Sequence, residues 1–423
     1  MDQDVGVRTE PAGSRRPAPQ PGFAEFVVLV ALMMGVTAFA VDAVLPAFPA
    51  IGSSYAVADP NQLQLVVYVY MFGFGGAQLV FGPASDLVGR RPAYLAGLAI
   101  FLIGCAMAVW ASDFTSLLIA RLVQGIGAAS GRVLSTAIVR DRFSGREMAR
   151  VMSLNMTVFI MVPVFAPAIG SLLLLLGDWH LMFVAMIATG IGLGLWFWWR
   201  MPETLAPSNR MPLSAARIGD AIRVTLTCRV ALGYATAVGL LFGCVMAMVG
   251  SAQQIFAEAY GLGPWFPLAF GLLATSMGVA GLANSAAVRR YGMRCISHGS
   301  LLALVCLGIL QVGVALAFSG RPSLLVFGLV LGASQFLLGL AFPNFNALAM
   351  EPLGQIAGTA SSLIGVYTTV LGAFCGYVIG RAFDDTVLPL AVGYLALSGA
   401  ALGVVLATER GRLFGRQQPV SGA

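Results

Sequence analysis

Lysine is absent from this 423-residue chain, and charged residues of any kind are scarce. Charged residues make up 10% of the chain, whereas a soluble domain typically carries about 25%, and hydrophobic residues make up 58%. The mean hydropathy is +0.87. These values exclude a soluble globular protein. The absence of lysine has no functional account in the sequence, and we attribute it to genome composition.

Histidine and cysteine are also rare. The two histidines, His180 and His298, lie far apart in the sequence, so a histidine-based metal enzyme has almost no ligands to use. The six cysteines stand singly, and no CxxC pair occurs. The sequence therefore predicts neither a disulfide framework nor a zinc site, and we expect no metal.

Apolar runs long enough to cross a bilayer occur twelve times, since a spanning helix needs about 20 mainly apolar residues. They lie near 24–50, 63–84, 92–111, 114–137, 151–176, 180–199, 229–250, 264–288, 296–318, 322–348, 357–380 and 387–407. Irregular backbone cannot face lipid, so each run is predicted to be helical. The predicted fold class is an all-α membrane protein with twelve transmembrane helices.

The N-terminal stretch 1–22 is polar and rich in proline, alanine and glycine, which predicts a disordered tail. A cleaved signal peptide is the alternative interpretation of the apolar run that follows, since residues 38–40 resemble a small-residue cleavage site. That run, 23–41, is longer than the roughly 7–15 residues of a signal h-region. Many similar runs follow it, which favours a first membrane span.

The arginines are distributed unequally between the two sides of the predicted bundle. Twenty of the 24 fall in the tails and in the loops of one side, and only Arg321 and Arg381 fall on the other. Because short cytoplasmic loops carry the excess of basic residues, we expect both termini to be cytoplasmic. The net charge of +6 therefore indicates no nucleic-acid partner. Arg121 and Arg132 lie inside a span.

The longest interior loop, 200–228, divides the chain into two bundles of six helices, 23–199 and 229–408, followed by a cytoplasmic tail, 409–423. A weak repeat agrees with this division: Asp86-x-x-Gly-Arg-Arg after the second span is echoed by Arg289-x-x-Gly-Met-Arg after the eighth. Similar halves indicate a transporter that rocks about a central site. The alternative is that basic residues simply end helices facing the cytoplasm.

The loop after the second span, 82–91, reads GPASDLVGRR. Its glycines, Gly82 and Gly89, allow a tight turn and close approach of helices. A carboxylate such as Asp86 can face a helix N-terminus, and Arg90 can pair with a carboxylate on a neighbouring helix. We expect such a cluster to hold one closed state of a carrier and to break in another.

The fourth predicted span contains two arginines. Arg121, Gln124, Gly125, Ala128 and Arg132 fall on one helical face by their spacing. An ionisable residue inside a span is a functional candidate, so this face is predicted to look into the protein or a wet cavity. The alternative for the first arginine is a side chain that snorkels to the interface.

The first span contains the one carboxylate clearly inside a predicted span, Asp42. A proton-coupled carrier needs a group that gains and loses a proton between its two states. Burial favours the neutral form of a carboxyl group and a nearby cation favours the charged form. Arg121 should lie at a similar depth and tune this group. The alternative is an interfacial aspartate that caps a break before Pro46.

Several of these segments resemble the major facilitator superfamily. The loop 82–91 resembles its signature loop at Gly82, Asp86, Gly89, Arg90 and Arg91, and departs from it at two positions, 84 and 87. The resemblance implies a fold of two pseudo-symmetric six-helix halves. It also places the loop arginine, Arg90, against the acidic residue at the inner end of the fourth span, Asp141.

Three further motifs resemble the twelve-span drug:proton antiporters, and in particular their bicyclomycin-resistance (Bcr/CflA) branch. They are R-x-x-Q-G at 121–125, A-P-x-x-G at 166–170 and D-x-x-L-P-x-x-P at 42–49. The resemblance implies that Arg121 is linked to proton transfer and that Asp42 is functional. It also implies a bend in the fifth span shaped by Pro163, Pro167 and Gly170, whose prolines remove backbone donors.

These observations predict a proton-coupled multidrug efflux antiporter that exports small amphipathic compounds. It would be a monomer in the bacterial inner membrane, driven by the proton gradient without a cofactor. An exporter of an endogenous metabolite such as an amino acid is the alternative. A membrane-embedded transferase is remote, because it needs a His, Asp or Glu constellation. Candidate pocket residues are Tyr68, Gln124, Arg132, Tyr234, Gln335, Asn344 and Tyr367. An ordinary interhelical hydrogen bond is the alternative role of the three tyrosines, Gln335 and Asn344, whereas Arg132 could select substrate charge or pair with an acidic residue.

Overall fold

The structure is a computed structural model that describes residues 21–210 and 215–415. The predicted N-terminal tail (except residues 21 and 22) and the last eight residues lie outside this part of the chain. Twelve long helices follow one another: α1 (Phe23–Asp42), α3 (Leu65–Val88), α4 (Arg90–Val109), α5 (Phe114–Arg142), α6 (Gly145–Leu176), α7 (His180–Arg200), α9 (Arg229–Gln253), α10 (Phe266–Tyr291), α11 (Met293–Ala317), α12 (Leu324–Met350), α13 (Ala357–Arg381) and α14 (Leu388–Thr408).

The described part of the chain also contains two shorter helices, α2 (Phe48–Ser54) and α8 (Ala215–Thr227). Among the described residues, eleven helices are long and apolar enough to cross a membrane, and a shorter apolar stretch, Met161–Leu176, lies within α6. The all-helical membrane fold predicted from hydropathy is thereby confirmed. α8 lies within 200–228, the predicted linker, whose role as a boundary between domains stays a prediction.

The first predicted span, 24–50, is not one continuous helix. α1 ends at Asp42, and a 3₁₀ turn, Leu45–Ala47, leads into α2. Two prolines, Pro46 and Pro49, follow the break. Because proline has no N–H and clashes with the preceding turn, Pro46 and Pro49 favour a break here, although Pro163 and Pro167 lie inside α6 without ending that helix. The hydropathy of the run gave no sign of the break, but the alternative role considered for Asp42 had placed one before Pro46.

The same helix pairs pack in both halves. In the first half, α5 packs against α3, α4 and α1, while α1 also packs on α6 and α4 on α7. In the second half, α12 packs against α10, α11 and α9, while α9 also packs on α13 and α11 on α14. The two halves meet along α3 with α13 and along α10 with α6. These two contacts are here called the seam. If each helix of the first half is matched with its counterpart in the second, α3 with α10 and α6 with α13, each of the two contacts becomes the other, so the halves are pseudo-symmetric.

The two ends of the bundle differ in charge. The end where α1 begins and α14 ends carries most of the arginines, and it is called the arginine-rich end below. Ion pairs between Glu25 and Arg200 (2.6 Å) and between Arg294 and Glu409 (3.0 Å) lie there. Exposed tryptophans mark both ends, Trp199 at this one and Trp110 at the arginine-poor end. Tryptophan is enriched at both membrane–water interfaces.

Glycine allows the backbones of the first half to meet around α5. A Cβ on Gly127 would stand 2.1 Å from the backbone nitrogen of Phe101 in α4, and a Cβ on Gly125 would stand 2.1 Å from the carbonyl oxygen of Tyr70 in α3. Small residues let membrane helices approach closely enough for backbone contact. Any larger residue at these positions must push the helices apart.

Gly127→Ala should therefore destabilise the protein by about 1–3 kcal/mol, the usual cost of overpacking. The matched variant is Gly192→Ala on α7, where a Cβ meets nothing within 4 Å. There, alanine should leave stability unchanged or raise it by up to about 1 kcal/mol. Thermal unfolding of the purified variants in detergent measures both, and equal losses would contradict the packing assigned to α5.

Candidate functional site

Asp42 lies at the break in α1. It is the last residue of the helix, and only 4% of its surface is exposed. It is therefore buried inside the bundle, whereas a capping role at the interface would leave it in contact with water. Among the described residues, no ion pair forms at Asp42.

Arg121 lies in the interior of the first half and is fully buried. Its Nε donates to the carbonyl oxygen of Val66 in α3 (2.9 Å), and its Nη2 donates to the carbonyl oxygen of Ala40 in α1 (2.9 Å). Its Nη1 donates to the side chain of Gln124, one turn away on α5. The ring of Tyr70 lies 4.6 Å from the guanidinium carbon. Three helices thus surround this charge.

The break in α1 supplies one of these acceptors. The last four carbonyl groups of a helix have no partner within the helix, and Ala40 belongs to the last turn of α1. Arg121 donates a hydrogen bond to this carbonyl oxygen, which lies two residues before Asp42 in the sequence. The expectation that the two charged residues lie at a similar depth agrees with this contact. They form no ion pair with each other among the described residues, and their part in proton coupling stays a prediction.

Tyr70 was missed by the sequence reasoning, which selected Tyr68 instead. Besides facing the guanidinium of Arg121, Tyr70 donates from Oη to the carbonyl oxygen of Thr37 in α1 (3.0 Å). Residues two apart point to nearly opposite sides of a helix. The run Tyr-Val-Tyr shows that the two rings diverge, but nothing in it indicates which ring faces α5.

The predicted bend residues of α6 lie beside the same break. Pro163 and Pro167 are inside this helix. A Cβ on Gly170 would stand 2.1 Å from the carbonyl oxygen of Ala43, the residue after Asp42. Glycine at this position therefore permits the close contact of α6 with the end of α1.

The segment 82–91, predicted as a loop, is helical on both sides of a single linking residue, Gly89. Residues 82–88 are the last turns of α3, and Arg90 begins α4 at the arginine-rich end. Arg90 is buried there, and its Nε donates to Asp141 at the end of α5 (2.9 Å). Its Nη1 donates to Asp86 (2.5 Å) and to Ser85 (2.6 Å). The contact predicted between Arg90 and Asp141 is present. Its role as a gate stays a prediction.

Glu203, which follows α7, completes this cluster and was not selected from the sequence. It accepts hydrogen bonds from the backbone N–H groups of Arg90 (2.9 Å) and Arg91 (3.1 Å), the first two residues of α4. A carboxylate at a helix N-terminus is stabilised by the unpaired N–H groups and the helix dipole. Asp86, Arg90, Asp141 and Glu203 are called the latch below.

Gly89 joins α3 to α4 with φ +107°, a conformation that favours glycine. A Cβ there would stand 2.4 Å from Oε2 of Glu203, so both conformation and space require glycine. Arg91 donates to the carbonyl oxygen of Trp198 at the end of α7. Gly82 lies at the seam, where a Cβ would stand 3.1 Å from Oγ of Ser362 in α13.

The structure does not bring the seven candidate pocket residues together at one place. Tyr68 donates to the carbonyl oxygens of Gly376 and Met246 near the arginine-poor end, whereas Tyr234 donates to Glu409 at the arginine-rich end. The other five lie apart from these two: Gln124 contacts Cys105 and Met186, Gln335 accepts from Tyr394, Asn344 donates to Asn284, Tyr367 contacts Thr236, and Arg132 is half-buried.

Tyr367 is the most exposed of the candidate pocket residues (37%). Its hydroxyl lies 3.0 Å from that of Thr236, and this contact links α13 to α9. The remaining buried amides and phenols hold helices together, which is the ordinary role that the sequence reasoning left open for them. A substrate role for all seven stays a prediction.

Glu203→Gln tests the latch, because it keeps the size of the side chain and removes its charge. Hydrogen bonds to charged groups contribute about 1.5–3 kcal/mol and neutral ones about 0.5–1.5 kcal/mol. We therefore expect a loss of about 1 kcal/mol and a lower unfolding temperature. The control is Glu147→Gln, an exposed carboxylate in the first turn of α6. Equal unfolding temperatures for the two variants would contradict the role of Glu203.

Comparison with known proteins covers most of the chain. The family described as Major Facilitator Superfamily matches residues 30–377. The uncharacterized MFS-type transporter YdgK of Bacillus subtilis is 31% identical over 83% of this chain and 87% of the relative. The bicyclomycin resistance protein homolog of Haemophilus influenzae is 28% identical (86% and 91%), and the multidrug resistance protein MdtL of Citrobacter koseri is 29% identical (84% and 88%).

Solved structures share the fold. The human organic anion transporter MFSD10 (TETRAN) superposes with a TM-score of 0.67 at 20% identity, covering 92% of this chain and all of that one. The xylose transporter XylE of E. coli, in a partially occluded inward open conformation, superposes with a TM-score of 0.70 at 12% identity, covering 93% and 100%. The resemblance that began with the loop 82–91 is thus confirmed over most of the sequence, and the chain belongs to the Major Facilitator Superfamily.

Proposed function

We propose that this chain is a proton-driven exporter of small amphipathic compounds, of the bicyclomycin-resistance type. Two of the similar proteins carry multidrug resistance and bicyclomycin resistance in their names. The scarcity of charged side chains in the spans also favours amphipathic compounds over sugars or phosphates. We propose a carrier rather than an enzyme, acting as a monomer in the bacterial inner membrane.

The observation that carries this proposal is a buried carboxyl group and a buried guanidinium at one depth of the same half. An ionised carboxylate in a low-dielectric interior is costly without a cation beside it. A conformational change that exposes Asp42 to water, or brings it to Arg121, therefore changes how readily it holds a proton. Arg121 is already bonded to the carbonyl of Ala40, so a small movement of the end of α1 changes their separation.

Export requires that proton and substrate favour different states, because a ligand shifts an equilibrium only by its differential affinity. Protonation of Asp42 would favour the conformation in which it is buried, and binding of the exported compound would favour the opposite one. The resulting coupling is reciprocal. Inward proton flow then drives export without any cofactor.

Asp42→Asn should abolish the release of protons that substrate addition causes in inverted membrane vesicles, because asparagine cannot exchange a proton. Bicyclomycin and a fluorescent amphipathic dye serve as probes. The control is Asp113→Asn, since Asp113 caps α5 at the surface and the N–H of Ser116 lowers the pKa of its carboxyl group. Arg121→Ala should also impair exchange, with partial rescue by Arg121→Lys. Undiminished exchange in Asp42→Asn would remove Asp42 from the mechanism.

The orientation follows from the arginines, and we propose that the arginine-rich end faces the cytoplasm. An epitope tag fused to the C-terminus should then be protected in intact spheroplasts and accessible after permeabilisation. A tag inserted after Gly320, in the connection between α11 and α12 at the arginine-poor end, is the matched control. A C-terminal tag that antibody reaches in intact spheroplasts would reverse the assignment.

A further inference from the structure

Three amide side chains bridge the two halves at the arginine-poor end. Nε2 of Gln64, just before α3, donates to Oε1 of Gln254, just after α9 (2.5 Å). Nε2 of Gln254 in turn donates to Oδ1 of Asn61 (2.8 Å). Gln64 and Gln254 are almost completely buried. These three residues, here called the amide clasp, lie across the seam rather than within either half.

The end of α13 supplies backbone acceptors to the same cluster. Nε2 of Gln64 also donates to the carbonyl oxygen of Gly380 (3.0 Å), and Nδ2 of Asn61 donates to the carbonyl oxygens of Phe383 (2.9 Å) and Arg381 (3.2 Å). A Cβ on Gly380 would stand 1.8 Å from Oε1 of Gln64. The backbone of the second half thus fits closely around the amides of the first.

Two features indicate that the amide clasp opens during transport and is not a permanent contact between the halves. Gln254 begins a π-helical turn, Gln254–Ala259, and such turns are frequent at functional sites. Oε1 of Gln64 is buried and has no hydrogen-bond partner among the residues that the structure describes. An unsatisfied buried acceptor costs free energy, so the closed arrangement carries a cost that opening to water would relieve.

α3 connects this cluster to the proposed proton site. Tyr68, one turn after Gln64, faces the seam, where its hydroxyl donates to the carbonyl oxygen of Gly376 (2.8 Å). Val66 and Tyr70, also one turn apart, face Arg121, the first through its carbonyl oxygen and the second through its ring. Two turns of one helix therefore contact the clasp region on one face and the buried arginine on the other.

We propose that Asn61, Gln64 and Gln254 form the gate at the arginine-poor end and that α3 couples the opening of this gate to Asp42 and Arg121. The proposal rests on the function proposed above. A displacement of α3 that separates Gln64 from Gln254 also moves the carbonyl of Val66 relative to Arg121. The gate and the proton site then change together.

Hydrogen exchange measured by mass spectrometry on the full-length protein in detergent tests the gate. Gln254→Leu removes two bonds that cross the seam, and Asn61→Ala removes the outer part of the clasp at a less buried position. We expect exchange in segments 57–66 and 376–387 to rise by about 2- to 10-fold for each hydrogen bond lost. In an alternating-access carrier, exchange at the opposite end, in 82–92 and 138–147, should fall.

Gln311→Leu is the matched control, because Gln311 donates to Ser334 (2.6 Å) within the second half. It should produce no reciprocal change. Faster exchange at the arginine-poor end with no slowing at the arginine-rich end would show local loosening and overturn the gate. Unchanged exchange in both Gln254→Leu and Asn61→Ala would overturn it as well.

The coupling has its own readout. Asp42→Asn imitates the neutral carboxylic acid, so it should slow exchange in 57–66 and 376–387 although it touches none of the three amides. Asp113→Asn should leave exchange there unchanged. No effect of Asp42→Asn would overturn the coupling through α3. These measurements need neither substrate nor proton gradient, so they test the gate separately from export. If exchange contradicts the gate while the vesicles still release protons, the proposed export is unaffected. If exchange supports the gate while the vesicles release no protons, only the proposed export is contradicted.

Discussion

The burial of one guanidinium group organises the first half of this protein. Arg121 brings five N–H donors into an interior that contains almost no other charge. Each donor left without an acceptor would carry a large cost. The acceptors come from the backbones of α1 and α3 and from Gln124 on its own helix. Three helices are thereby held in one arrangement around the charge.

The break in α1 supplies one of the acceptors that Arg121 needs. A helix that continued past Asp42 would use the carbonyl of Ala40 within itself, whereas the ended helix offers it to Arg121. The same break exposes the carbonyl of Ala43, against which Gly170 of α6 packs. α3, which completes the cradle of Arg121, also carries the residues that cross the seam. The proposed proton site, the contact with α6 and the clasp are therefore parts of one connected arrangement, with the latch on the same half at the opposite end.

Hydropathy predicted the fold well, because the bilayer forces long apolar runs to be helices. The orientation predicted from the arginines stays a prediction. The pairing of Arg90 with Asp141 was also predicted, because the resemblance to the major facilitator superfamily implied it. Glu203 and the amides Asn61, Gln64 and Gln254 were not selected. Their contacts depend on which helix ends lie close together in the folded protein, and no local sequence pattern indicates this. Buried amides such as Gln335 look alike in sequence whether they face a substrate or a neighbouring helix.

The central claim is that a proton gradient drives transport through Asp42, and reconstituted vesicles test it most directly. An uncharged exported compound is added outside vesicles that contain the purified protein and have an acidic interior, with protein-free vesicles as the blank. The account predicts accumulation above the external concentration, loss of this accumulation on adding a protonophore, and none with Asp42→Asn. Equal concentrations inside and outside despite the gradient, or full accumulation by Asp42→Asn, would contradict it.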